Sequence, residues 1–386
     1  MSSISRRNFL GGSVAAASAA TGAALVAGAP VAAVASAPAA KAPAYGPAAD
    51  VAKLNANENP YGPSPGAIKE AFEATKLGAY YVGASVPMLK SMIAERHGVT
   101  PEHIALSSGS SGVLTYIATA AGDKGDILAP DLFWDTTARM GTRHGGEVVR
   151  LAKDDGLAID LDAMFDAITD DISMAQITNP NNPTGLVLDG EALRAFCKKA
   201  SRKVTVLVDE AYNEITDDPE YTSMVDLVRE GYDVIVARTF SKIYGMAGMR
   251  VGYTIASPET TQKMILDYGL GSYAMNQAGL AAAVASYNDL GFLEMSKSKI
   301  LEAKDMVKKG LQEVGLTALP SATNFMFVDL GDLNAEVFRQ KMADRNVHIR
   351  GIYRDYDNWS RVSMGRLEHV QMYVDALPAV LEEMKA

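Results

Sequence analysis

The chain has 386 residues, with 46 acidic against 36 basic side chains and a net charge of −10. That length accommodates one large or two ordinary domains, and the 48% hydrophobic content excludes wholesale disorder. The single cysteine, Cys197, excludes an intramolecular disulfide framework and a multi-cysteine zinc site. The five histidines show no ligand-pair spacing, and the acidic balance argues against nonspecific nucleic-acid binding.

The N-terminus departs from this average. From Asn8 to Ala40 there is no charged side chain, and Arg6-Arg7 stand just before that stretch. A positive start, a mildly apolar run and small residues near a cut site describe an export signal. Ser5-Arg6-Arg7-Asn8-Phe9-Leu10 resembles the twin-arginine signal of bacteria. Dilution of the run by Gly, Ser and Thr fits that route, and Ala33-Val34-Ala35 reads as the cleavage site. Residues 1–35 are therefore expected to be an address, and the remainder a periplasmic or extracellular protein, cytoplasmic if the signal is not used. Pro30, Pro38 and the many small residues make the segment a poor membrane anchor.

Residues 36–60, rich in Ala, Pro and Asn, read as an extended arm. Helical periodicity follows over 67–74, 86–97 and 161–168, and a short strand is expected at 127–129. The runs 173–178, 204–208 and 234–237 are short and largely apolar, as buried parallel strands are. From 287 to 310 the pattern predicts one long charged connector helix. The remainder mixes a strand at 325–329 with helices at 335–344 and 369–384. This alternation predicts an α/β fold, a mostly parallel central sheet flanked by helices, with a smaller α+β domain. The expected division is an arm and start of the small domain at 36–75, a large cofactor-binding domain at 76–290 and a small C-terminal domain at 291–386.

Three polar clusters each follow one of the three strand-like runs. They are Asn179-Pro180-Asn181-Asn182-Pro183-Thr184-Gly185, Asp209-Glu210-Ala211-Tyr212, and Thr239-Phe240-Ser241-Lys242 with Arg250 beyond it. Ligands of open parallel sheets bind beyond the carboxyl ends of the strands. Asn182, Asp209, Tyr212 and Lys242 are thus expected to converge. A lysine that forms a Schiff base needs an aldehyde, and an aspartate beside a pyridine nitrogen keeps it protonated and makes the ring an electron sink. A tyrosine and an asparagine can bond a ring phenolate oxygen, while small hydroxyl residues and an arginine hold a phosphate. That set describes pyridoxal 5′-phosphate. Desolvation and nearby positive charge are expected to lower the Lys242 pKa, so that its free amine can shuttle a proton. Gly109-Ser110-Ser111-Gly112 opens an apolar run as a helix N-terminus, a setting that favours phosphate. Cys197 reads as a core residue on a helix, and His97 and His103 as surface or capping residues.

The sequence resembles the fold-type I aminotransferases of class I/II, and within them the histidinol-phosphate aminotransferase-like group, over roughly residues 53–380. The segment Leu54-Asn55-Ala56-Asn57-Glu58-Asn59-Pro60-Tyr61-Gly62-Pro63-Ser64 is similar to the start of that group. Asn182-Pro183-Thr184-Gly185, Val208-Asp209-Glu210-Ala211-Tyr212, Thr239-Phe240-Ser241-Lys242 and Gly248-Met249-Arg250-Val251-Gly252 match the family's cofactor motifs in order. The resemblance implies that Lys242 carries the cofactor. It also implies that Ser110, Ser111, Ser241 and Arg250 hold the phosphate, with Thr239 a further candidate. Ser111 stands where the family often has an acidic residue. Trp134, where the nearest group usually has Tyr, is implied to stack on the cofactor ring. Arg361, in Ser360-Arg361-Val362-Ser363, is implied to bind the substrate carboxylate, with Tyr61 and Asn276 as further substrate contacts. Tyr81 is implied to reach the neighbouring subunit's cofactor phosphate in a homodimer, although the usual Tyr-Pro-Asp is here Tyr81-Val82-Gly83.

The expectation is an aminotransferase dependent on pyridoxal phosphate. It would move an amino group between a small-molecule donor and a keto acceptor in a ping-pong course, with no metal, nucleic acid or membrane anchor. A decarboxylase, racemase or cyclising enzyme on the same scaffold is the alternative within enzymes. A non-catalytic binding protein with a decayed site is the alternative outside them, against which intact Lys242, Asp209 and Arg250 argue. An exported enzyme would not serve cytosolic histidine synthesis, so the histidinol-phosphate likeness is read as kinship.

Overall fold

The computed structural model describes residues 45–151, 157–269 and 271–385. The address expected at 1–35 lies outside them. The arm enters as β1 (Ala52–Lys53) and is followed by α1 (Pro65–Thr75), α2 (Ser85–His97), β2 (Ile104–Ser107), α3 (Ser110–Gly122), β3 (Asp126–Ala129) and β4 (Val148–Arg150). Next come α4 (Leu161–Asp166), β5 (Ile172–Thr178), α5 (Gly190–Ala200), β6 (Thr205–Asp209), α6 (Val225–Arg229), β7 (Val234–Thr239), β8 (Gly252–Ile255) and the single turn α7 (Pro258–Thr260). The last part is α8 (Gln277–Tyr287), α9 (Leu290–Glu313), β9 (Thr317–Ala318), β10 (Phe325–Asp329), α10 (Ala335–Ala343), β11 (Val347–His348), β12 (Trp359–Ser363) and α11 (Leu367–Lys385).

Seven strands form the central sheet in the order β2-β8-β7-β6-β5-β3-β4. The run from β7 to β4 is parallel, and β8 is antiparallel to both its neighbours. Side chains alternate across the strands, so each face gathers its own apolar set. Leu207 and Ile235 pack under Val113, Leu114 and Ile117 of α3. Val206, Val208, Val234 and Val236 pack on the other face with Leu89 and Ile93 of α2 and Leu193 and Phe196 of α5. Both faces are covered, which is why these strands read as continuous apolar runs. Register then sets the site: Thr178 pairs with Asp209, and Asp209 with Ala237. β5 and β6 therefore end level, β7 runs two residues further to Thr239, and the three polar clusters leave the sheet side by side.

A second, antiparallel sheet has the order β12-β10-β9, and β1 pairs in parallel with β11. The arm continues along this sheet: Leu54 N–H donates to the His348 carbonyl (2.7 Å), and Ser363 N–H donates to the Leu54 carbonyl (2.9 Å). Residues Pro47–Ala386 form one compact unit. Among the described residues no helix is long and apolar enough to cross a membrane.

Three expectations are corrected. The long helix does not begin at Tyr287, which ends α8. Asn288 and Asp289 break the chain, and the Asp289 carboxylate accepts from Phe292 N–H (3.2 Å) to cap α9. The expected helix over 161–168 stops at Asp166. His97 is no surface residue. It ends α2 with its ring mostly enclosed, and burial plus the nearby Arg238, Arg96 and Arg229 push its pKa down to about 3. His103 does cap, through Thr100, and Cys197 is buried on α5.

Behind the strand ends lies a buried charge network. The Arg238 guanidinium donates to Glu210 Oε2 (2.7 and 3.1 Å), as does Ser223 Oγ (3.0 Å), and Met224 N–H donates to Oε1 (2.6 Å). Removing one ion of such a pair strands the other and costs about 3–5 kcal/mol. The network ties the end of β6 to the end of β7, one residue from Asp209 and four from Lys242.

Candidate active site

A cavity of about 590 Å³ opens beyond these strand ends. Asp209, Tyr212, Asn182, Lys242, Thr239 and Ser241 line it on one side, Ser110, Ser111 and Arg250 at one end, and Trp134 and Arg361 also face it. The size suits a small-molecule site. Trp134 additionally packs against the α3 side of the core with Tyr116.

The end of the cavity at α3 is built by two glycines. Gly109 has φ +74° and ψ 161°, a conformation essentially confined to glycine. A Cβ there would lie 2.1 Å from Arg250 Nη2. A Cβ on Gly252 would lie 2.1 Å from the Ser110 nitrogen. The absent side chains let the guanidinium and β8 close on the first turn of α3. Arg250, itself left-handed at φ +54°, donates to Ser111 Oγ (2.8 Å), Ser241 Oγ (3.4 Å) and the Ala247 carbonyl (2.9 Å). Thr239 Oγ1 donates to Ser241 Oγ (2.9 Å). Helix N–H groups, three serines and a guanidinium thus face one point, which suits a phosphate.

Asp209 sits at the centre of the floor, 3% exposed. Its carboxylate accepts from Ala211 N–H (3.2 Å) and forms no ion pair among the described residues. Burial raises its pKa to about 7. Tyr212 is buried with its edge on Phe325, and its oxygen accepts from Asn57 Nδ2 (2.9 Å) and Asn182 Nδ2 (3.4 Å). Burial pushes its pKa upward, so the phenol keeps its proton. With both amides donating to the oxygen, the phenol hydrogen is left to point into the cavity.

Lys242 Nζ donates to the Asn57 carbonyl (2.9 Å). Burial, followed by the charge of Arg361, lowers its pKa to about 8, with Asp209 opposing. A neutral amine is therefore accessible near neutral pH, as a proton carrier requires. Arg361 is 7% exposed, donates to Asn182 Oδ1 (2.8 Å) and the Asn55 carbonyl (3.2 Å), and leaves its Nε buried without a partner.

Sequence reasoning missed Asn57, Thr178, Arg350 and Tyr353, all on the cavity wall. Arg350 bridges to Arg361 across the backbone, and both guanidinium groups lie over the Tyr353 ring, at 5.3 and 5.5 Å. The segment 350–356 is clasped to the loop after β3. Arg354 Nη1 donates to the Asp131 carboxylate (2.5 Å) and carbonyl (2.8 Å), and Tyr356 Oη to the same carboxylate (2.6 Å). Only Asn57 carried a signal, since it lies inside the Leu54–Ser64 segment.

Tyr61, Asn276 and Tyr81 are not brought into this cavity. Tyr61 Oη accepts from Leu367 N–H (3.2 Å) at the start of α11. The Asn276 side chain is spent capping α8, accepting from Gly279 N–H (2.6 Å) and donating to the Met249 carbonyl (3.2 Å). Tyr81, 86% exposed, shares a separate cleft with Tyr80, Tyr273 and Asn276.

The residues present fit pyridoxal phosphate on their own chemistry. Asp209 is a buried carboxylate lacking a cation, which a protonated ring nitrogen supplies. The Thr178 hydroxyl and Arg361 Nε lie buried and unpartnered. The α3 end offers an anion cradle that a Cβ at Gly109 would fill. Among the described residues no group of three His, Cys, Asp or Glu could hold a metal.

Known proteins give the chain its family. Residues 49–377 match the family described as aminotransferase class I and II. The chain is 35% identical over 350 residues to histidinol-phosphate aminotransferase 2 of Ralstonia nicotianae, covering 88% of this chain and 91% of that one. It is 33% identical over 334 residues to the histidinol-phosphate aminotransferase of Moorella thermoacetica, covering 86% of each. The histidinol-phosphate aminotransferase of Sinorhizobium meliloti, solved in complex with pyridoxal-5′-phosphate, superposes with a TM-score of 0.79 at 29% identity, covering 86% of this chain and 91% of that one. With fold, cavity and likeness in agreement, the chain belongs to the aminotransferase class I and II family and is an aminotransferase dependent on pyridoxal phosphate.

Proposed function

We propose that this aminotransferase works outside the cytoplasm, as a homodimer, on an amino donor whose acidic group is held by Arg361. The observation that carries the catalytic part is the Lys242 amine, held at 2.9 Å by the Asn57 carbonyl in one cavity with Asp209 and Arg361. When bound, pyridoxal phosphate supplies the aldehyde that takes up the amino group and a ring that accepts electrons. Ser110, Ser111, Ser241 and Arg250 would hold its phosphate, Asp209 its ring nitrogen, Tyr212 and Asn182 its ring oxygen, and Trp134 would stack on the ring. Lys242 Nζ would take the proton from the substrate Cα and carry it away from that carbon. The Arg361 guanidinium orients the substrate by two parallel hydrogen bonds to its acidic group.

The pairing of Arg350 with Arg361 around Tyr353 supports a substrate with a second anionic group. Exposed Ile68, Phe72, Tyr80, Tyr81 and Tyr273 support a second copy seated over that side, with Tyr81 reaching its cofactor phosphate. The Arg6-Arg7 signal supports export in the folded state, for which a chain without disulfides is suited.

A half-reaction screen tests the chemistry. Candidate amines mixed with the cofactor-loaded protein should change its absorbance, and dicarboxylate-type donors should do so at lowest concentration. Release of CO₂ without keto product would overturn transamination. Cell fractionation tests export, and mature protein found only in the cytosol would refute it.

A further inference from the structure

We infer that the Asn57 side chain is a positioning residue for the Lys242 amine, bracing the arm segment whose carbonyl holds Nζ between Tyr212 and Ser363. The arm at Asn57 belongs to no helix or strand, so backbone pairing does not fix that carbonyl. The side chain does. Nδ2 donates to Tyr212 Oη (2.9 Å), and Oδ1 accepts from Ser363 Oγ (2.8 Å). Asn57 is 6% exposed, and its carboxamide puts a donor and an acceptor on separate atoms of one short stem, so it can span the two partners.

These bonds close a circuit. Ser363 and Arg361 lie two apart on β12 and so point to one face of the strand. Arg361 donates to Asn182, Asn182 to Tyr212, and Asn57 joins Tyr212 back to Ser363. The residue that orients the substrate and the residue that moves its proton are thereby held in one frame. Other contacts seat the arm independently: Asn59 Nδ2 donates to the Ile243 carbonyl (2.9 Å) and Asn324 Nδ2 to the Glu58 carbonyl (3.1 Å). Loss of the Asn57 side chain therefore frees the carbonyl to turn without unseating the arm.

The inference rests on Lys242 as the proton carrier. The test compares Asn57→Ala, Asn57→Asp and Ser363→Ala in the full cofactor-loaded chain, with Lys242→Ala as reference. Asp keeps the acceptor and loses the donor, and Ser363→Ala breaks the other half. Asn57→Ala should slow the single-turnover half-reaction about tenfold, the scale of two neutral hydrogen bonds, with KM within about twofold. The other two should each lose about threefold to fivefold. The isotope effect with α-deuterated substrate should grow, because proton removal becomes more rate-limiting. In the cofactor-free chain, an acylating reagent should modify Lys242 several-fold faster, since Nζ has lost its acceptor. Wild-type half-reaction rate and isotope effect in Asn57→Ala, or a fall in thermal stability alone, would overturn the inference. Should Asn57→Ala fail to fold, Ser363→Ala decides by the same criteria. Activity surviving in Lys242→Ala would instead overturn the reading of Lys242 itself.

Discussion

The replacement Gly109→Ala isolates the electrostatics of the phosphate end. The backbone there has φ +74° and ψ 161°, and forcing a Cβ into that region costs about 1–3 kcal/mol of stability. The added methyl would stand 2.1 Å from Arg250 Nη2 and 2.6 Å from its Cζ. Both atoms are at the far end of a flexible side chain, so the guanidinium rather than the helix gives way. It then leaves the point faced by Ser111 and Ser241. A charge-assisted hydrogen bond to phosphate is worth about 1.5–3 kcal/mol, so cofactor affinity should fall about 10- to 150-fold. The assay is equilibrium binding of pyridoxal phosphate to the cofactor-free protein, read by absorbance, for wild type, Gly109→Ala, Arg250→Leu and the double variant. If the methyl acts through Arg250, the double variant is no weaker than Arg250→Leu alone. Unchanged affinity in Gly109→Ala, or full additivity of the two substitutions, would refute the reasoning.

Two further outcomes follow from the site. Because the Lys242 pKa is lowered to about 8, the rate at which the cofactor-free protein links pyridoxal phosphate should rise with pH up to about 8 and level above it. A rise continuing toward the ordinary lysine value near pH 10.5 would show that burial does not act as described. Cutting the clasp with Asp131→Ala should release the segment bearing Arg350 and Tyr353. Both Asp131 and Arg354 are partly exposed, so the expected effect is modest: KM for the amino donor up about fivefold, with cofactor affinity unchanged. Equal loss of cofactor binding would show that the clasp supports the whole cavity instead.

Much of the site was legible because its residues follow apolar, β-branched runs. Asp209, Asn182 and Lys242 sit where parallel strands end, and the register of β5, β6 and β7 makes those ends neighbours. Arg350 was not legible as a site residue, and Asn57 only as one position of the Leu54–Ser64 segment. Arg350 enters through its bridge to Arg361, and Asn57 through partners 155 and 306 positions away. No local pattern encodes such contacts. The start of the long helix was misplaced because Asp289 reads as one more charged helical position, and only its cap to Phe292 shows where α9 begins. Tyr61 and Asn276 fell outside the cavity for a related reason: their polar atoms serve the starts of helices.

Asp209 and Glu210 are consecutive acids with opposite surroundings. The first looks into the cavity without a cation, and the second is gripped from behind by Arg238. A slip of β6 by one residue that carried Glu210 to the place of Asp209 would set apolar Ala211 before Arg238 and drive Asp209 into the place of Val208 on the α5 side of the core. The pair therefore sets an electrostatic cost against that register, and the strand that gives Glu210 to Arg238 is also the one that aims Asp209.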